Sequence, residues 1–343
     1  MVLEGLQARL EGGSDLSLAE THASCAALLD GAAPLDVQAG FLRALHRKGE
    51  TPEEIAAFVE VLLERAAPVS FSGEGCIDVC GTGGDRAGMF NVSTAVMFVA
   101  AACGARVVKH GNRGITSKSG GADVLQALGI RIDLTPDKAA RALDSAGCCF
   151  LFAPAYHPAF QAVAGVRKVL AESGSTSIFN MLGPLLNPAK PSFQLAGVFD
   201  LSLLRAYAGV FRLLGRRRAW AVHGFGPDGL CLDEVSPFGE TRVMALDAEA
   251  IREFSISSCE LDIPSPGLDE LAGGSAAFNA GIISDLLAGN LRSGARAIVQ
   301  LNAAAALVVA GICASLSEGW ARAGDALDDG SARDVLARLR AVS

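Results

Sequence analysis

The sequence predicts an α/β protein in which a small helical domain is joined to a large α/β domain with a mostly parallel central sheet. Three observations predict it. The first seventy residues carry helix-start signals and helical spacing; from Gly75 short β-prone runs alternate with helical segments; and glycines stand where the first strand gives way to a helix. Strand–helix alternation of this kind places helices on the faces of a parallel sheet. A chain of 343 residues is long enough for two domains and a sizeable core.

The elements follow in order. Ser17-Leu-Ala-Glu20 is a capping box ahead of an Ala/Leu-rich segment, and Thr51-Pro-Glu-Glu54 is a second, with proline at the first helical position. Between them Phe41, Leu42 and Leu45 fall at helical spacing, and Gly49 marks the end of that helix. Pro68–Gly75 is a crossing into the second domain. Strands are expected at Cys76–Val79, Arg106–Val108, Ile130–Leu134, Cys149–Phe152, Phe193–Phe199, Ala219–His223 and Thr241–Ala245, with helices starting near Ser93, Gly121 and Pro136. His157–Ser173 breaks the rhythm as a helix with Val163, Val166 and Leu170 on one face. Several helices follow Ser275, including the Ala-rich Leu301–Ile312. The domains expected are a helical one over 1–70, joined by about 158–190, and an α/β one over 71–157 and 191–343.

Composition narrows the function. A net charge of −8 argues against a general nucleic-acid binder, which needs a basic face, but allows a small anion held by a few local cations. No run of about 18 apolar residues supports a membrane span, and Met1–Leu10 lacks the apolar core of a signal peptide. The nine cysteines form no regular framework, so reduced thiols in a cytoplasmic protein are expected, mostly as core packing.

Four polar blocks carry the chemistry. Asp78–Asp85 reads Asp-Val-Cys-Gly-Thr-Gly-Gly-Asp and is followed by Asn91-Val-Ser-Thr94. Strand, glycine loop and helix start together offer backbone N–H groups and a favourable dipole to a phosphate. Lys109–Asp123 holds two lysines, an arginine, glycines and hydroxyls between a strand end and a helix start. Ligands collect at such carboxyl ends, and the two loops together suit a polyphosphate. Phe152–Pro158, with Tyr156 and His157, precedes Arg167 and could receive a flat aromatic carboxylate. Asp233-Glu234 would supply carboxylates to Mg²⁺ opposite a pyrophosphate. No zinc spacing and no Gly-x-x-x-x-Gly-Lys-Ser/Thr loop is present.

Taken in order, Gly81-Thr-Gly-Gly-Asp85, Asn91-Val-Ser-Thr94, Lys109-His-Gly-Asn-Arg113, Ala153-Pro-Ala-Tyr-His157, Ile178–Pro188 and Asp233-Glu-Val-Ser236 resemble the anthranilate phosphoribosyltransferase family, as do Lys48-Gly-Glu-Thr51 and Gln300–Leu307. The resemblance implies a fold of the nucleoside phosphorylase and anthranilate phosphoribosyltransferase type, paired as a homodimer through the helical parts. It implies transfer of the phosphoribosyl group from 5-phosphoribosyl 1-diphosphate to anthranilate in tryptophan biosynthesis, with Mg²⁺ as cofactor. Carried across, Gly81, Gly83, Gly84, Asp85, Asn91, Ser93, Thr94, Lys109 and Ser119 would hold the phosphoribosyl diphosphate. Ser93, Asp233 and Glu234 would bind the metal. His110, Asn112, Tyr156, His157 and Arg167 would line the anthranilate path, Arg167 meeting the carboxylate. No residue is assigned as an obligatory acid or base.

The chain departs from the family pattern at Gly121, where a serine is usual, and at Thr176, where arginine is usual. Ala171–Ser175 is about three residues longer, and Gly224–Cys231 is a slightly long loop before Asp233. Two other readings share the architecture: a pyrimidine nucleoside phosphorylase-like enzyme, and a non-catalytic nucleic-acid-binding paralogue.

Overall fold

The computed structural model describes residues 2–84, 87–114, 118–261, 263 and 265–343. The chain divides into two units, Met1–Ala67 with Pro154–Pro188, and Pro68–Ala153 with Ala189–Ser343.

In the first unit four helices, Val2–Glu11, Leu18–Asp30, Leu35–Lys48 and Pro52–Glu64, pack apolar faces that include Leu6, Leu10, Phe41, Leu45 and Phe58. Both capping boxes form, Ser17 with Glu20 and Thr51 with Glu54, satisfying N–H groups that the first turn leaves unpaired. Gly49 closes the third helix at φ 88°, a conformation that glycine adopts without strain. The expected helix over His157–Ser173 is broken instead. A 3₁₀ turn over Pro158–Gln161 and a helix over Ala164–Glu172 take its place. Pro158 has no N–H to give to a continuing helix and keeps the residue before it out of helical conformation; His157 lies at ψ 65°. Val163, Val166 and Leu170 are buried together as the spacing predicts.

The second unit is built on an eight-stranded sheet. Its strands are β1 (Cys76–Gly81), β2 (Arg106–Gly111), β3 (Cys148–Phe152), β4 (Phe193–Gly197), β5 (Arg218–Phe225), β6 (Cys231–Leu232), β7 (Glu240–Asp247) and β8 (Ala250–Ser257). The order is β3-β2-β1-β4-β5-β7-β8, with β6 paired to β5. Strands β3 to β5 along that order run parallel, and β7 and β8 add an antiparallel hairpin. The sheet is therefore mostly parallel, as the alternation predicts. Helices Val92–Ala102 and Gly294–Val309, buried along nearly their whole length, form the core on its flank.

Ile130–Leu134 is not a strand. The segment joins the Gly121–Ala127 and Pro136–Ala146 helices and pairs with nothing in the sheet. Ile130, Ile132 and Leu134 are buried while Arg131 and Asp133 face outward and bond each other at 3.0 Å. The alternation was real, but it records an extended connection pressed on a helical surface rather than a hydrogen-bonded ladder. Strand β8 was not expected: four of its residues in a row, Arg252–Ser255, are exposed, so one-sided burial is absent from the pattern.

Candidate active site

The site is assembled at the carboxyl ends of β1, β2 and β5. After β1 the chain turns through Gly83 (φ 68°) and Gly84 (φ 89°), both in the region that side chains disfavour. Thr82 ties this turn to β4, its N–H donating to Gly197 O at 2.9 Å and its hydroxyl accepting from Phe199 N–H at 3.2 Å. The Gly83 N–H donates to Asp233 Oδ2 at 2.7 Å, joining the glycine loop to the carboxylate pair. Asp85, expected among the phosphate ligands, lies outside the described residues.

Three glycines on three neighbouring strands admit the Asp233-Glu234 turn. A Cβ on Gly81 would collide with the Asp233 carboxylate, one on Gly197 with the Asp233 carbonyl, and one on Gly224 with the Glu234 carbonyl. Gly81 thus has a packing reason that its place in a glycine loop does not reveal. From the other side Asn302, 1 % exposed, accepts from Val235 N–H at 2.8 Å and donates to Val235 O at 2.9 Å, fixing the backbone next to Glu234.

Lys109, on β2, is 4 % exposed. Its ammonium donates to Val79 O at 2.6 Å and to Ser93 Oγ at 3.0 Å, and it makes no ion pair among the described residues. A buried cation held only by neutral oxygens is suited to an anionic ligand. Thr94 Oγ1, buried on the first turn of the Val92–Ala102 helix, has no hydrogen-bond partner among the described residues. The position of Gly121 bears on it: a Cβ there would stand 3.2 Å from Thr94 Oγ1, so the missing serine leaves that hydroxyl open on one side.

The donor set suits magnesium. Ser93 and Glu234 line one internal cavity of about 10 Å³, room for about one water molecule, with Val79, Cys80, Leu195 and Gly197. Asp233 adjoins it at Gly197, against which its carbonyl packs. Hydroxyl and carboxylate oxygens are what a hard dication takes, and Mg²⁺ commonly completes its shell with water and phosphate rather than protein.

The loop after β2 is braced by Asp123, which the sequence did not single out. Its carboxylate accepts from Gly114 N–H at 2.9 Å, Gly120 N–H at 3.0 Å and Arg113 Nη1 at 2.7 Å. Burial alone would raise its pKa, but these donors hold the carboxyl below the ordinary range. Asn112, exposed, accepts the Arg113 N–H at 2.8 Å. His110 follows Lys109 on the strand, so the two side chains leave opposite faces; its N–H donates to Asp78 Oδ1 at 3.3 Å. Ser119 and Asn91 are joined to each other and to Asn279, on the Ala276–Leu287 helix.

The remaining expected residues belong to the helical unit. Tyr156 is buried, and its carbonyl accepts from Ala67 N–H at 2.7 Å. His157 Nε2 lies 2.7 Å from Leu186 O, which can only accept, so that nitrogen carries the proton. Burial pushes the imidazole pKa down, keeping it neutral. Arg167 is half-buried, with its guanidinium carbon 5.9 Å from the Phe160 ring centre and no ion pair among the described residues. Burial lowers its pKa. Thr176, where arginine is usual, accepts or donates a 2.7 Å bond with His46 Nε2, and Ser173 bonds Arg43 at 3.0 Å; the longer segment is hooked onto the Leu35–Lys48 helix.

Residues 73–333 match the α/β-domain model of a glycosyl transferase family, and residues 4–66 match that family's helical bundle domain. The anthranilate phosphoribosyltransferase of Methylobacterium radiotolerans is 48% identical over 333 residues, covering 97% of this chain and 94% of its own. The chain belongs to the anthranilate phosphoribosyltransferase family. A solved member from Thermus thermophilus superposes with a TM-score of 0.88 at 36% identity, over 98% of both chains. A second, from Saccharomyces cerevisiae in complex with PRPP and Mg, does so with a TM-score of 0.85 at 26% identity, over 99% of this chain and 97% of that one. The helical domain and the mostly parallel α/β domain are thus those of this family.

Proposed function

We propose that this protein transfers the phosphoribosyl group of 5-phosphoribosyl 1-diphosphate to anthranilate, giving N-(5-phosphoribosyl)anthranilate and pyrophosphate. The observation that carries the reading is Lys109, a buried ammonium bonded to a carbonyl and a hydroxyl beside a glycine loop and two carboxylates. That combination suits a polyphosphate better than a neutral sugar. Of the two other readings, neither finds a counterpart among the relatives named above.

On this reading the α/β unit holds the donor. Gly81, Gly83, Gly84, Asn91, Ser93, Thr94, Lys109 and Ser119 bind the phosphoribosyl diphosphate, with Asp85 among them by sequence. Ser93, Asp233 and Glu234 would hold Mg²⁺, which when bound neutralises charge on the leaving pyrophosphate. Breaking the ribose C1–oxygen bond builds positive charge on the sugar and negative charge on the leaving oxygen. The loop amides and Lys109 are fixed where the negative charge develops and need no reorganisation.

The acceptor contacts are those that the family resemblance implies. Arg167, half-buried and in no ion pair among the described residues, takes the carboxylate of anthranilate, and Tyr156, His157, His110 and Asn112 bound the ring's path. An aromatic amine is already unprotonated at neutral pH, so its lone pair can attack C1 without a strong base; His157, neutral with Nε2–H given to Leu186, shapes the path rather than moving a proton. Holding the amine in line with the leaving group then supplies much of the acceleration. We read the working form as a cytoplasmic homodimer.

Anthranilate fluorescence tests the reading. Wild-type protein should consume anthranilate only with phosphoribosyl diphosphate and Mg²⁺ together. Phosphorolysis of a pyrimidine nucleoside in place of that reaction would overturn it.

A further inference from the structure

Asn279 belongs to none of the sequence blocks, yet it joins two of them. It is 2 % exposed, on the first turn of the Ala276–Leu287 helix. Its Oδ1 accepts from Gly274 N–H at 2.7 Å, which settles the orientation of the amide. Both hydrogens of Nδ2 are then directed outward, one to Asn91 Oδ1 at 2.8 Å and one to Ser119 Oγ at 2.9 Å. Asn91 stands at the end of the loop after β1, and Ser119 at the end of the loop after β2. Asn91 Nδ2 returns a 3.3 Å bond to Ser119 O.

The segment ahead of Asn279 grips the first loop as well. Phe90 N–H donates to Leu271 O at 3.0 Å, Gly273 N–H donates to Gly88 O at 2.7 Å, and Met89 bridges Ala272. A side chain at Gly273 would collide with the Met89 carbonyl. Backbone pairing thus sets the height of the loop, and Asn279 sets the direction of its last side chain.

We propose that Asn279 is a positioning residue for the phosphoribosyl donor, acting through Asn91 and Ser119. It rests on the reading that these two loops hold that donor. By giving a hydrogen to Asn91 Oδ1, Asn279 fixes which end of the Asn91 amide is nitrogen; one Nδ2 hydrogen goes to Ser119 O, and the other is the donor that an anionic phosphate requires. By giving the other to Ser119 Oγ, it ties the second loop to the same frame. A carboxylate of the same shape at this position would present acceptors to acceptors and reverse that polarity.

Asn279→Asp and Asn279→Ala decide the matter. Calorimetry with phosphoribosyl diphosphate and Mg²⁺ should show the donor Kd of Asn279→Asp raised at least about tenfold, the yield of one or two lost bonds to a charged ligand, and that of Asn279→Ala raised by less. The KM for anthranilate should stay within about twofold, the split that marks a donor-side role. Hydrogen exchange in the unliganded protein should quicken in peptides covering 87–93 and 118–124. An unchanged donor Kd in either folded variant, equal losses for both substrates, or failure of both variants to fold would overturn the proposal. Wild-type protein that binds no donor would instead overturn the functional reading, and exchange in the two loops would then decide whether Asn279 holds them together.

Discussion

Two lysines, one in each unit, have little-exposed side chains and are differently employed. Lys48 in the helical unit has a side chain 5 % exposed and meets two carboxylates, Asp15 at 2.7 Å and Glu54 at 2.8 Å. Glu54 in turn accepts from Leu16 N–H and Thr51 N–H, both at 2.9 Å. Burial alone would lower the Lys48 pKa, but its two carboxylate partners hold it above the ordinary lysine value. Every charge there is answered within the protein, and the cluster staples two helix ends and a loop. Lys109 in the α/β unit is 4 % exposed and, among the described residues, meets only a carbonyl and a hydroxyl. Depth of burial does not separate a structural cation from a functional one; the charge of its neighbours does.

Lys109→Met tests the contrast most severely. It should lower kcat/KM by about 10²–10³-fold, the usual loss when a preorganised charge facing a developing anion is removed. Thermal melting should move little, because no internal ion pair is broken. Lys48→Met should do the reverse. It leaves Glu54 buried without its cation and should cost about 2–3 kcal/mol, less than a fully buried pair because Asp15 is largely solvated. Urea melts and turnover of the folded fraction would separate the two, and interchanged phenotypes would break the comparison. Arg167 extends it as a second cation without a carboxylate: Arg167→Ala should raise the KM for anthranilate about 10–100-fold, with the donor KM little changed, in steady-state fluorescence assays.

The smallest expected effect concerns an anion. The Asp123 carboxyl is held below the ordinary aspartate range because the Gly114 and Gly120 N–H groups and Arg113 outweigh its burial. For a depressed carboxyl the stability gained is present above the unfolded pKa and lost as pH falls through the folded one. The brace on the loop after β2 should therefore hold at neutral pH and loosen below about pH 4. Donor affinity of Asp123→Asn should lack that acid-side loss, which calorimetry from about pH 6 downward past about pH 4 would read.

How much was legible follows the range of the forces involved. Capping boxes act within four residues, so Ser17-Glu20 and Thr51-Glu54 could be read directly, and so could the glycine loop after β1. Alternation of apolar residues reports burial and is silent on pairing, which is why Ile130–Leu134 looked like a strand and β8, exposed along Arg252–Ser255, did not. Pro158 announced a break that the apolar spacing of Val163, Val166 and Leu170 concealed. Asn279 and Asn302 were unreadable as site residues. Each is one amide on a helix, and what each does depends on chain that is far away in sequence, Asn91 and Ser119 for one and Val235 for the other. Only folding brings those partners within reach.

Gly81, Gly197 and Gly224 carry a consequence for how this protein can change. At each, the missing methyl group is occupied by main chain or carboxylate of the Asp233-Glu234 turn. A single mutation at any of the three would act as a wedge under both acidic side chains at once. This corner can therefore drift only by coordinated replacement of strand and turn, while the His46–Thr176 edge is free to vary one residue at a time.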